Sequence, residues 1–250
     1  MEAFSIGTFG QLNADDYDEW QDPGTTEQSV ALICELAGGG RVLELAIGTG
    51  RLALPLAEAG LDISGIDASP EMIAKLRQKP GGAALEVVLG DFAEVGVEGR
   101  FDHVFLAFNT LFNLQTQDEQ LRCFRNVAAR LAPGGSFLID AFVPDFAAFT
   151  ENQSVKTRQI RQDMAMIEAV QHDRAAQILE FQRMWFASGG TRLVPLRMRY
   201  AWPSEIDLMA RLAGLELSDR WGGWQKQPFD MASRMHVSVY RKPAHDAEVT

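Results

Sequence analysis

The stretch RVLELAIGTGRLALPLAEAGLDISGIDASPEM, residues 41–72, sets an apolar run, a glycine loop, an amphipathic segment and a second apolar run in direct succession. Residues 41–46 and 62–67 have strand length and composition, and residues 52–59 between them have helical spacing. Two strands joined by a short helix form a parallel βαβ unit. Gly48-x-Gly50-x-x-Ala53 lies in its first turn, where G-x-G-x-x-G/A cradles a dinucleotide, and Asp67 stands where a ribose-binding acid belongs. Glycines alone do not say which nucleoside the loop holds.

Outward from this unit the alternation continues. Further strand-like runs are residues 85–90, 104–109 and 136–142, with helical patterns at 70–78 and 118–131. Ser69 is placed to cap the first of these helices, with Pro70 as its first residue. Such alternation predicts a parallel sheet covered on both faces, with ligands at the carboxyl ends of the strands. After Pro144 the pattern changes. Residues 155–161, 164–172, 177–187 and 192–202 read as antiparallel strands, joined at His172-Asp173-Arg174 and Ser188-Gly189-Gly190. A helix at 204–213 and strands at 215–221 and 235–241 follow. The expected division is a core of residues 1–150 and 200–243, an inserted antiparallel lid at 151–199, and a tail at 244–250.

Composition narrows the function. The 250 residues are 46% hydrophobic and 23% charged, as in ordinary globular proteins. No apolar run reaches membrane-spanning length, and the first residues lack a signal-peptide pattern. Cys34 and Cys123 belong to no C-x-x-C pair, so reduced thiols and a cytoplasmic location are expected. A net charge of −11 repels phosphate backbones and argues against nucleic acid as a partner.

Three acids at successive strand ends discriminate between cofactors. A carboxylate at Glu44 disfavours a pyrophosphate but suits the ammonium and sulfonium of S-adenosylmethionine. Asp67 can accept from both ribose hydroxyls, and Asp91 from an adenine amino group with Phe92 beside the ring. The rival NAD-dependent oxidoreductase lacks its downstream chemistry, since none of Tyr17, Tyr200 and Tyr240 is followed by a lysine four residues later.

Residues 44–51 (ELAIGTGR), 65–72 (GIDASPEM) and Gly90-Asp91-Phe92 together resemble the class I S-adenosylmethionine-dependent methyltransferase family. Leu131-Ala132-Pro133-Gly134-Gly135 and the two closing strands are similar to the same family. The resemblance implies a doubly wound, Rossmann-like α/β fold with a seven-stranded sheet whose last strand is antiparallel. It implies that Glu44, Ala46, Gly48 and Gly50 line the methionine portion, Asp67 and Ala68 the ribose, and Met72 the adenine. Asp91 and Phe92 would close the adenine end, with Ala107, Phe108 and Asn109 as floor. Tyr17, in a Tyr-Asp segment like one that folds over the cofactor in small-molecule members, would touch the methionine end. Ala46 departs from the pattern, since many members have a third glycine there.

The implied activity is in-line methyl transfer to an oxygen or nitrogen of a small molecule, leaving S-adenosylhomocysteine. Alignment and water exclusion can supply much of the catalysis. His172, at a turn of the lid, and His236, at the start of the last strand, are the candidate bases; His103 reads as structural. Asn109-Thr110-Leu111-Phe112 stands where nucleic-acid amino-methyltransferases carry Asn-Pro-Pro-Tyr/Phe, but without the prolines. No metal-ligand pattern appears, and Asp140-Ala141 does not reproduce the Asp-Asn pair of catechol-type enzymes, so no metal is expected. The lid's Met164, Met166, Met184, Trp185, Phe186, Met198, Tyr200 and Trp202 read either as sheet core or as the roof of a partly apolar substrate. Arg183, Arg197 and Arg199 would then hold an anionic group, and an exposed face of the lid could form a homodimer. A non-catalytic, regulatory S-adenosylmethionine binder would show the same loop.

Overall fold

The computed structural model describes residues 10, 14, 17–20, 23–147 and 149–244. Strands β1 (Val42–Leu45), β2 (Ile63–Asp67), β3 (Glu86–Leu89), β4 (Phe101–Leu106) and β5 (Leu131–Phe142) are mutually parallel. Four antiparallel strands follow: β6 (Gln153–Ile160), β7 (Met164–Asp173), β8 (Ile178–Ala187) and β9 (Gly190–Arg199). The chain then returns to the first sheet with β10 (Glu216–Trp221) and β11 (Met235–Arg241). β11 lies antiparallel between β5 and β10, giving the order β10-β11-β5-β4-β1-β2-β3. This is the doubly wound sheet with an antiparallel last strand that the sequence predicts, and β6–β9 form the separate antiparallel sheet.

Helices α1 (Tyr17–Trp20), α2 (Thr26–Ala37), α3 (Ala53–Glu58), α4 (Pro70–Gln78), α5 (Gln117–Arg130) and α6 (Pro203–Leu212) accompany the sheets. Alternation along each strand sends neighbours to opposite faces. Val42, Phe105, Leu138 and Val237 pack with Leu32 and Ile33 of α2 and Leu56 of α3. Leu43, Val104, Phe137 and Tyr240 pack with Phe124 and Val127 of α5 and Ile206 of α6. Strands buried on both faces lose much on truncation; Ile66→Ala at a fully buried site costs about 3 kcal/mol.

Local chemistry sets the element ends. Ser69 Oγ accepts the Met72 amide at 3.1 Å, fixing the start of α4 in a direction that leaves β2. Thr116 and Glu119 close a reciprocal capping box on α5. β4 ends at Leu106, short of residue 109, because Phe108 (φ +66°) and Asn109 (φ +60°) are left-handed and cannot continue a strand. β9 likewise ends before Trp202, and Pro203 opens α6.

The lid sheet is fastened to the core by a buried arginine. Arg199 donates to Gln120 Oε1 of α5 at 2.7 Å, Gln177 Oε1 at 3.1 Å and Glu205 Oε1 of α6 at 2.7 Å. Among the described residues no helix is long and apolar enough to cross a membrane.

Candidate active site

The site begins where β1 and β2 release the chain, beside the switch point between β1 and β4 at which the strand order reverses. Ala46 (φ +55°), Gly48 (+57°) and Gly50 (+82°) all adopt left-handed conformations, turning the backbone sharply into α3. A Cβ on Gly50 would lie 2.3 Å from Leu76 Cδ1, so any other residue there would also have to displace that side chain. The turn aims the Gly48 amide at Asp67 Oδ2, 2.7 Å away, while the Ser69 amide donates to Oδ1 at 2.8 Å. Burial raises the Asp67 carboxyl above its ordinary range, although these amides pull it back.

Tyr17, Ala46, Gly48, Asp67, Ala68, Met72 and Phe92, all expected from the sequence, line one cleft. Glu44 stands beneath it, 5% exposed, with Oε2 buried and without a hydrogen-bond partner. Burial pushes its carboxyl well above the usual range, Asp67 adds to the shift, and Arg51 opposes it. A buried carboxylate oxygen lacking a donor beside Asp67 fits a cofactor that brings an ammonium group and ribose hydroxyls. Tyr17 covers the cleft from α1, and burial pushes its phenol up to about 12 against the pull of Arg51. The next residue ties this segment down: Asp18 accepts from Thr49 Oγ1 at 2.6 Å and pairs with Lys79 Nζ at 2.6 Å.

Other expected residues lie around the cleft rather than on its wall. Gly50 borders a neighbouring depression with Tyr17 and Arg51. Asp91 accepts the Ala93 amide at 2.8 Å and holds the turn that carries Phe92. Ala107 is buried, and the Phe108 ring lies 5.6 Å from the Arg51 guanidinium. Asn109 faces a second cavity, with its Oδ1 accepting the Phe142 amide at 2.6 Å. In return Asp140 accepts the Phe108 amide on its carboxylate and the Asn109 amide on its carbonyl. This clasp between the end of β5 and the loop after β4 holds the two left-handed residues. Burial pushes Asp140 up to about 7, partly offset by the Phe108 amide and Arg51.

Sequence reasoning missed Gly10, Ser69, Thr110, Asn113 and Leu196 on the cleft wall. Ser69 and Thr110 adjoin recognised positions, so proximity in the chain was the available signal. Leu196 is brought in from β9 by the lid and had none.

Leu196 also lines the second cavity, which lies between the loop after β5 and the inner face of the lid. Phe142, Phe146, Phe149, Phe181 and Met198 give it apolar walls. Of the arginines expected there, only Arg183 reaches it. Arg197 pairs with Glu180 at 3.2 Å, while Arg199 is the fastening described above.

Neither candidate histidine reaches the junction of the two cavities. His172 is the penultimate residue of β7 rather than part of a turn; its ring stacks on Phe146 with centroids 4.1 Å apart, and Nε2 lies 3.0 Å from Tyr200 Oη. Burial lowers its pKa. His236 is fully buried in β11, bonded to Ser238 Oγ at 2.8 Å, and burial lowers its pKa to about 3. His172 is held by Phe146 and Tyr200, each more than 25 residues away in the chain, and His236 by Ser238 two residues on and by the nearby Phe229 ring. Among the described residues no group of three or more His, Cys, Asp or Glu is disposed to hold a metal ion.

Comparison with known proteins agrees with this geometry. Residues 42–135 match a family model described as a methyltransferase domain. The cypemycin N-terminal methyltransferase of a Streptomyces species is 32% identical over 207 residues, covering 82% of this chain and 84% of that protein. The CcbJ methyltransferase from Streptomyces caelestis is 40% identical and superposes with a TM-score of 0.91 over 96% of this chain and 100% of that one. S-adenosylmethionine-bound CalS10, an amino pentose methyltransferase from Micromonospora echinaspora, shares the fold at 20% identity, with a TM-score of 0.69 over 97% of this chain and 99% of that one. At 32% identity across 82% of its length to one such enzyme, and with a methyltransferase domain matched over residues 42–135, the chain belongs to the class I S-adenosylmethionine-dependent methyltransferase family.

Proposed function

We propose that this enzyme methylates an amine nitrogen of a small acceptor seated between the core sheet and the lid. The observation that carries the reading is the shared wall at Leu196, which joins the cofactor cleft to a second, largely apolar cavity. A protein that only sensed the cofactor would have no use for that adjoining space. An oxidoreductase reading is opposed by Glu44, whose buried, partnerless Oε2 would face a pyrophosphate.

When bound, S-adenosylmethionine supplies a methyl group already activated on sulfonium. The chain's task is to hold and align. Glu44 would offer its partnerless Oε2 to the ammonium at the methionine end, Asp67 would accept from the ribose, and Met72 and Phe92 would pack against the base. At the junction Thr110 Oγ1 donates to Ala107 O at 2.6 Å and Asn109 Oδ1 is engaged by Phe142. These groups shape the passage and leave the hydroxyl oxygen of Thr110 able to accept an N–H. An amine that has released its proton to solvent needs no further base, which suits a junction to which neither histidine comes. The named activity of the cypemycin relative, at an N-terminus, supports nitrogen as the acceptor atom.

Methyl-labelled S-adenosylmethionine offered with a panel of small amines and their matched alcohols tests the reading. Label is expected in amine products, and Leu196→Trp, which fills the passage between the two cavities, is expected to abolish transfer. Label confined to alcohols, or unchanged transfer in Leu196→Trp, would overturn it.

A further inference from the structure

We propose that the second cavity is an oxyanion-recognising acceptor site, so that the acceptor carries a carboxylate or phosphate beyond an apolar body. This rests on the methyl-transfer reading above and names the substrate class for the same site. The lid sheet supplies the argument through its register. Ser154, Val170, Phe181 and Leu196 are cross-strand neighbours in one row on the inner face. The next row on that face is Lys156, Glu168, Arg183 and Val194, one pleat repeat or about 7 Å further along the strands. The row that meets the cofactor cleft is therefore apolar but for Ser154, and the row behind it is charged but for Val194.

Glu168 organises the charged row. Its side chain is 2% exposed; Oε1 accepts from Arg158, through Nε at 2.9 Å and also through Nη2, and Oε2 accepts from Arg183 Nε at 3.0 Å. One carboxylate thus fixes two guanidiniums side by side, and two of Arg158's five N–H donors are used in doing so. Lys156 and Arg234 line the same cavity and have no ion-pair partner among the described residues. Four cations, Lys156, Arg158, Arg183 and Arg234, then face two carboxylates, Glu168 and Asp145. A net positive cavity in a chain of net charge −11 is a local reversal, and forked guanidiniums suit oxyanions geometrically.

The acceptor that fits places its nucleophile at the Leu196 and Asn109 end, lays an apolar body against Phe142, Phe146 and Phe181, and ends in an oxyanion among the cations. The orientation follows from the row order, since the reverse would bury the anion against leucine and phenylalanine.

The test is calorimetric titration of phenylbutyrate, phenylbutyl phosphate, phenylbutanol and phenylbutylammonium into protein saturated with S-adenosylhomocysteine. At least one oxyanion is expected to bind about tenfold more tightly than the alcohol. The exposed pair K156M/R234M, which holds no other side chain in place, should lose that preference and keep its affinity for S-adenosylhomocysteine. Equal binding of oxyanions and alcohol, preference for the ammonium probe, or no binding of any of the four overturns the oxyanion site. Failure of S-adenosylhomocysteine itself to bind would overturn the methyl-transfer reading instead, so the two failures are distinguishable.

Discussion

The Gly48 amide donates to Asp67 Oδ2 at 2.7 Å, joining the glycine loop after β1 to the last residue of β2. One carboxylate therefore shapes the loop, and in the proposed reading its remaining lone pairs accept from the ribose. Removing it should weaken both roles. Asp67→Ala is expected to lower affinity for S-adenosylhomocysteine by roughly 1.5–3 kcal/mol, read by calorimetry. Asp67→Asn, which retains one acceptor oxygen, should fall between; unchanged affinity in Asp67→Ala would contradict the assignment.

Asp140 predicts a pH effect on stability. A carboxyl raised from 3.8 to about 7 keeps a proton in the folded protein that the unfolded chain has released. Stability is then lost as pH rises from about 4 through about 7. Asp140→Asn keeps an acceptor for the Phe108 amide and carries no charge. It should raise the melting temperature at pH 8 by about 2–4 °C per kcal/mol regained and leave stability at pH 4 nearly unchanged. A variant no more stable than wild type at pH 8 would show that Asp140 ionises without cost.

Ala46 carries backbone strain in the glycine loop. At φ +55° an L-residue pays a steric penalty that glycine avoids. Ala46→Val should melt lower than Ala46→Gly by an amount corresponding to about 1–2 kcal/mol. Equal melting temperatures would mean that the loop relaxes readily.

The ion pair between Asp18 and Lys79 holds the segment bearing Tyr17 over the cleft. Both partners are partly exposed, so the contribution is small, about 0.5–1 kcal/mol after screening. Lys79→Met should speed release of S-adenosylhomocysteine about threefold in stopped-flow displacement, more at low salt than at high salt. Release at the wild-type rate would show that the strap is held by other contacts.

What the sequence revealed about the site follows from how that site is built. Glu44, the glycine loop, Asp67 and Met72 lie within two consecutive βα units, so their spacing along the chain is nearly their spacing in space. Ser69 and Pro70 marked the start of α4 for the same reason. Leu196 and the pairing of Arg158 and Arg183 on Glu168 were not legible, although Arg183 itself was expected to face an anion, because cross-strand register joins residues with no fixed separation in sequence. His172 looked like a turn residue beside Asp173 and Arg174; its burial depends on Phe146 and Tyr200, which only the fold brings together. The apolar run through residue 109 suggested a longer β4, whereas Asp140 and Phe142 hold Phe108 and Asn109 out of strand geometry.

The central claim is that Glu44 and Asp67 equip the cleft for S-adenosylmethionine. Calorimetric titration of the purified protein with S-adenosylhomocysteine, with NAD as the control, tests it most directly. Saturable binding of S-adenosylhomocysteine, weakened in Asp67→Ala and absent for NAD, is the predicted result; binding of NAD with no affinity for S-adenosylhomocysteine would contradict the account.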